Sequence, residues 1–132
     1  SSVARGMAGE QANASFYTLF ENADIDGMAN LWVNTEEVWC THPGWPTIFG
    51  WDGIRVSFEQ IFSAPELPQF LTSNVRIHGD QQTAWVFLEE NLLGTSLSAV
   101  AAVNVFKKSE GLWHMVGHQA APIIQDLDFG TQ

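Results

Sequence analysis

Cysteine occurs once in these 132 residues, as Cys40, so no internal disulfide can form and no Cys pair of the metal-binding kind exists. A reducing compartment and a cytoplasmic location are the expectation. Basic residues are almost as scarce: five Lys and Arg against fifteen Asp and Glu leave a formal net charge of −10. Arg5, Arg55, Arg76, Lys107 and Lys108 are scattered, so neither nucleic acid nor an anionic membrane surface is an expected partner, because both demand a clustered cationic footprint. Long apolar runs are missing too, and nothing approaches the roughly 20 residues of a membrane span. The first residues lack the charged-then-apolar layout of a leader, and Ser1-Ser2 reads as a processed or added start.

What the chain has in quantity is apolar and aromatic surface: 45% hydrophobic residues, with six Trp and nine Phe. A chain of this length suits one domain, 1–132, in which 121–132 reads as a C-terminal tail. Apolar positions Ala12, Phe16, Leu19, Phe20 and Ala23 recur at helical spacing over Ala8–Ala23, with Tyr17 at the edge of the stripe. Asp24 then reads as the N-cap of a short helix burying Ile25, Met28, Ala29 and Trp32. A third helix, Asp52–Ser63, carries Ile54, Phe58, Ile61 and Phe62 inward and stops at Pro65. From Pro68 onward the pattern predicts four strands: Gln69–His78, Thr83–Leu93, Leu97–Lys107 and Leu112–Ala120. They are joined at Gly79-Asp80, Gly94-Thr95-Ser96 and Ser109-Glu110-Gly111. Helices first and a meander afterwards indicate an α+β domain, one curved antiparallel sheet folded over helices.

The most informative stretch is Val38–Gly50. A short strand, Val38–His42, is stopped by Pro43, and a turn-rich run leads into the third helix. Alternation puts Val38, Cys40 and His42 on one face. An imidazole ending an apolar strand face beside a rigid loop either looks into a cavity or caps the turn by donating to a loop carbonyl. Cys40 reads either as a pocket-lining residue or as a small buried hydrophobe.

The order helix, helix, strand, loop, helix, four-strand meander resembles the nuclear transport factor 2-like superfamily, and within it the SnoaL-like and ketosteroid-isomerase-like branch. Three motifs carry the likeness: Ala14-Ser-Phe-Tyr-Thr-Leu-Phe-Glu-Asn-Ala-Asp-Ile-Asp-Gly-Met, the His42-Pro43-Gly44 corner, and Phe49-Gly50-Trp51-Asp52-Gly53-Ile54. The resemblance covers about Met7–Ala121. It implies a cystatin-like α+β barrel, in which a cone-shaped curved antiparallel sheet wraps around the N-terminal helices and an apolar pocket for a small hydrophobic molecule. It also implies a homodimer formed through the outer sheet face.

Matching the branch's inward residues selects Trp85, Phe87, Glu89 and Asn91 on the second meander strand, against Val86, Leu88, Glu90 and Leu92. The third strand then points Ala99, Ala101, Val103 and Val105 inward, and the fourth His114, Val116, His118 and Ala120. His114 against Trp113, and Glu89 against Glu90, turn on a one-residue register. The expected ligand-binding set is Phe16, Trp32, Cys40, Phe58, Phe62, Trp85, Phe87, Val103 and Val116, and the expected catalytic set is His42, His118 and Glu89. In the isomerase branch the base aspartate falls on His42, the donor tyrosine on Phe16 and the donor acid on Ala101. Steroid isomerisation as such is therefore not carried over, whereas a histidine base is. No cofactor and no metal are expected, since no ligand spacing is recognisable. Three function classes stand open: a cofactor-free isomerase, lyase or cyclase, a non-catalytic small-ligand binder, and an assembly domain with a filled interior.

Overall fold

A computed structural model describes residues 2–94 and 99–124, of which 2–8 are described by backbone alone. Ser2–Glu21 forms α1 and Ile25–Leu31 forms α2. Asp24 caps α2, its carboxylate accepting from Gly27 N–H at 2.8 Å, as short polar side chains at an N-cap do. Trp39–Thr41 is β1, Ile48–Phe49 is β2, and Trp51–Phe62 is α3. Four long strands follow: β3 (Gln69–Gly79), β4 (Thr83–Leu93), β5 (Ala99–Ser109) and β6 (Leu112–Pro122). The expected tail thus begins later than Ala121: β6 continues to Pro122, and Ile123 N–H still donates to Ala99 O at 3.1 Å. Thr95 and Ser96 of the expected connection, and residues 125–132 of the tail, lie outside the described residues. Glu110 and Gly111, both at positive φ (52° and 80°), make the β5–β6 turn where the glycine was expected.

The strand order is β2-β1-β6-β5-β4-β3, an unclosed sheet that is antiparallel except where β1 runs parallel to β6. Register breaks between Ser73 and Arg76 on β3, and between Val105 and Phe106 on β5, where Val116 of β6 is the extra residue. Bulges of this kind bend a strand and deepen its twist, which curves the sheet over the helices. On the β1–β6 seam, a Cβ at Gly117 would lie 2.2 Å from Cζ2 of Trp39. Only glycine lets the indole lie flat across β6 there, and Trp39 and Gly117 are register partners. No helix is long and apolar enough to cross a membrane among the described residues.

The core lies between the concave face of the sheet and the helices. The buried face of α1 is Asn13, Phe16 and Tyr17, with Phe20 partly buried one turn on. Val38, Cys40 and His42 face inward together from the β1 strand and its end, as alternation requires. On β4 the inward residues are Ala84, Val86, Leu88 and Glu90, and on β5 Val100, Ala102, Asn104 and Phe106. This corrects the expected register. Trp85 and Phe87 stand on the outer face, 37% and 42% exposed, and Val103, paired with Phe87, shares that face half-buried. Glu89 is also outside, where its carboxylate accepts from Asn74 Nδ2 at 2.9 Å. The reason is steric. The helices already supply large rings opposite β4, so the concave side takes the smaller Ala84, Val86 and Leu88 from this strand, and Trp85 and Phe87 stand outside.

On β6 the bulge changes the parity: Met115 is buried in place of His114, while His118 and Ala120 remain inward. Val116, the bulged residue, is only partly buried, packing at the margin of the core.

Candidate functional site

Four strands and two helices bring the interior polar groups together. Because β1 runs beside β6 with Cys40 opposite His118, His42 arrives two residues later on the same inner face. His118 is in turn directly opposite Asn104 on β5. From the helix side α1 contributes Asn13 and Tyr17, and α3 contributes Ser57, one turn after Ile54 on its buried face. His42 and His118 are each 2% exposed, with ring centroids 6.4 Å apart. Aromatic rings enclose them. Phe16 lies 4.8 Å from the His118 ring and Phe58 lies 5.0 Å from the His42 ring, while Trp45 of the loop flanks His42 at 5.0 Å. The partly buried rings of Phe20, Phe62 and Phe70 continue this wall towards the surface.

His42 does not cap its own turn. Its Nε2 lies 2.8 Å from Ser57 Oγ, and Ser57 spends its single proton on Ile54 O at 2.6 Å. A hydroxyl has one donor, so the imidazole must be the donor to Ser57 Oγ, which leaves Nδ1 carrying the lone pair. Burial holds the His42 pKa down to about 4, so the ring is neutral at pH 7. Burial, reinforced by the neighbouring His42, takes His118 down to about 3.

A second chain of hydrogen bonds radiates from Asn104, which is fully buried. Its Nδ2 donates to Asn13 Oδ1 at 2.8 Å and to Tyr17 Oη at 3.0 Å, and its Oδ1 meets His118 Nδ1 at 2.5 Å. Tyr17 Oη donates to Glu90 Oε2 at 2.5 Å. Burial pushes Glu90 up to about 7 against the opposing pull of the Tyr17 hydrogen bond. Tyr17 is held well above its ordinary value by burial and by the Glu90 charge. Cys40, whose Sγ is 3.7 Å from His42 Nε2, is likewise pushed far up by burial and Glu90, so it is a thiol with no nucleophilic character.

Of the residues singled out in the sequence, His42, His118, Cys40, Phe16, Trp32 and Phe58 are buried here and Phe62 lies at the margin. Glu89, Trp85, Phe87 and Val103 lie on the opposite face of the sheet and Val116 at the edge of the core, so none of these five joins the interior polar cluster. The acid facing inward is Glu90. The interior also holds a tyrosine bonded to an acid, Tyr17 with Glu90, one residue along α1 from Phe16 and one residue along β4 from Glu89, while Ala101, on which the branch's donor acid falls, is exposed on β5. Asn13, Tyr17, Ser57 and Asn104 were missed. Asn104 had a visible signal, a lone amide inside the apolar run from Ala99 to Phe106. Among the described residues no three His, Cys, Asp or Glu side chains converge as a metal ion would require. Open depressions among the described residues lie elsewhere on the surface: about 450 Å³ beside the start of α3, about 510 Å³ between α1, α2 and the start of β6, and about 290 Å³ between α1 and the β5–β6 turn.

Similarity to other proteins extends over nearly the whole chain. An F-box protein of Arabidopsis thaliana, SKIP8, is 27% identical over 114 residues, which is 86% of this chain and 49% of that protein. The chain thus spans about half the length of this curated relative. A "putative dehydratase" of the NTF2-like family from Streptomyces avermitilis superposes with a TM-score of 0.86 at 28% identity, covering 94% of this chain and 99% of the other. A protein of unknown function with a cystatin-like fold from Nostoc punctiforme shares the architecture at a TM-score of 0.75 and 13% identity, over 91% and 92% of the two chains. Residues 10–125 match the SnoaL-like domain, and the chain belongs to that family, with the cone-shaped NTF2-like fold.

Proposed function

We propose that the interior is a site for a small hydrophobic molecule and performs cofactor-free acid–base chemistry of the lyase or isomerase kind, with His42 as general base. One observation carries this reading: two neutral imidazoles, 6.4 Å apart, sit among aromatic rings, and the hydrogen bond of His42 to Ser57 leaves its Nδ1 lone pair to a weak contact with the Cys40 thiol, whose Sγ is 3.9 Å away. His42 takes a proton from carbon next to a carbonyl. The imidazolium then returns it, to another carbon in an isomerisation or to a departing hydroxyl as water in a dehydration. A base whose conjugate acid titrates near 4 is weak at neutral pH, so the substrate carries an already acidic C–H, as a polyketide-like dicarbonyl does. The dehydratase description of the S. avermitilis protein agrees with this chemistry. The test follows deuterium uptake from D₂O at the acidic carbon of aromatic 1,3-dicarbonyl compounds. His42→Ala is expected to lower the enzyme-dependent rate on the order of a hundredfold or more while its circular dichroism stays that of the parent. An unchanged rate would remove His42 from the chemistry.

The outer face of the sheet supports a partner reading as well. Leu71, Trp85 and Phe87 stand exposed there beside Val103 and Val105, a patch of the kind that covers itself with a second copy of the same chain. Sedimentation equilibrium is expected to give a dimer, and Phe87→Glu a monomer with an unaltered fold. A monomeric parent protein at tens of micromolar would end this proposal.

A further inference from the structure

We infer that Asn104 is a positioning residue whose amide orientation sets the tautomer of His118, and that Glu90, acting through Tyr17, sets that orientation. Both Asn104 N–H donors are used, on Asn13 Oδ1 and Tyr17 Oη, so its Oδ1 is the atom facing His118, and His118 Nδ1 must bear the proton. The lone pair of His118 is then on Nε2, the opposite edge of the ring. The direction of every bond in this chain is fixed at its far end: Tyr17 can accept from Asn104 only because its own proton goes to Glu90.

With Glu90 protonated, the same atoms satisfy one another in the reverse sense. Glu90 O–H donates to Tyr17 Oη, the nearest acceptor recorded for it, and Tyr17 O–H then needs an acceptor of its own. Asn104 supplies one by turning its amide over, which presents Nδ2 to His118 Nδ1, and the imidazole proton exchanges to Nε2. The Asn13 amide turns over with it, so that Asn13 Nδ2 donates to Asn104 Oδ1. With Asn13 turned as well, each contact of the buried chain keeps one donor and one acceptor in either sense, whereas a half-reversed chain leaves two donors or two acceptors facing each other. The groups involved are buried, with Asn104 at 0% and His118 at 2% exposure, so water does not substitute for a missing partner. The titratable groups facing Glu90 are Tyr17 from α1 and Cys40 from β1, both held protonated, with His118 of β6 at the far end of the chain. No Lys or Arg pairs with it among the described residues. Glu90 titrates near pH 7, where both imidazoles are neutral, so the reversal concerns which nitrogen bears the proton and not the charge of the ring.

The consequence for catalysis rests on reading the interior as an acid–base site. There it would decide which edge of His118 accepts a proton. The tautomer itself can be measured without any substrate. Two-bond ¹H–¹⁵N correlation spectra of the protein report which ring nitrogen is protonated, with the His118 signals assigned by their loss in His118→Gln, and carboxyl ¹³C shifts follow Glu90. The expected result is the Nδ1–H tautomer at pH 9, the Nε2–H tautomer at pH 5.5, and a midpoint coinciding with that of Glu90. In Tyr17→Phe, which interrupts the chain, His118 keeps one tautomer throughout. A tautomer that does not change in the parent protein, a Glu90 that stays ionised across this range, or the same change surviving in Tyr17→Phe would each overturn the inference. Failure of the dicarbonyl assay alone would count only against the catalytic reading.

Discussion

Phe58→Ala is expected to lower the free energy of unfolding by about 3–5 kcal/mol, the range for removing a fully buried phenylalanine, read from the urea midpoint at unchanged slope. Phe58 is 0% exposed and stands on the inward face of α3 one turn after Ile54. Its ring meets Phe16 at 6.1 Å, Phe20 at 5.7 Å, Trp32 at 6.3 Å, His42 at 5.0 Å and Phe62 at 5.7 Å, mostly edge-on. It is therefore a ring shared by α1, the end of α2, the β1 corner and α3. Truncating it removes dispersion contacts on all sides at once, and the sheet backbone cannot collapse into the space because its register is fixed by hydrogen bonds. Phe62→Ala, a turn further along and half-buried, is expected to cost less than half as much. Equal losses at the two positions would mean that the interior is not closed around Phe58.

The same ring shows why much of the architecture was legible before any coordinates. Phe58 follows Ile54 at helical spacing, Asp24 has the chemistry of an N-cap, and Pro43 can only end a strand, so each of these elements has a local cause. The phase of β4 has none. Val86 and Leu88 are as apolar as Trp85 and Phe87, and carboxylates stand at both Glu89 and Glu90, so alternation offers two equivalent solutions. The choice between them is made by the helices packed opposite. The bulge at Val116 is invisible for a related reason, since one extra residue changes which of His114 and Met115 points inward without leaving a mark on composition. His118 kept its expected face because it lies beyond the bulge. The buried network depended on long-range meetings, Tyr17 with Glu90 across 73 residues and Asn104 with Asn13 across 91, and no local pattern encodes those.

Those meetings give the stability of the protein an unusual pH dependence. His42 and His118, ordinarily near 6.5, are held at about 4 and about 3 in the folded state. Between pH 6.5 and those values the unfolded chain binds more protons than the folded one, so stability is complete above 6.5 and is lost as the pH falls. Glu90 works in the opposite sense: ordinarily near 4.5 and held near 7 when folded, it contributes fully below 4.5 and loses its contribution as the pH rises to 7. At roughly 1.4 kcal/mol per pH unit for each proton, the two histidines remove several kcal/mol on going from pH 6.5 to 3.5. Glu90 removes about 2–3 kcal/mol on going from 4.5 to 8. Glu90→Gln keeps a carbonyl oxygen for Tyr17 and carries no charge. It is expected to match the parent at pH 4.5 and to exceed it by about 2–3 kcal/mol at pH 8, with the difference opening between those limits in urea titrations. A gain that is the same at both pH values would show that Glu90 is not buried as an ionisable group, and with it would go the view of the interior as a dry polar network.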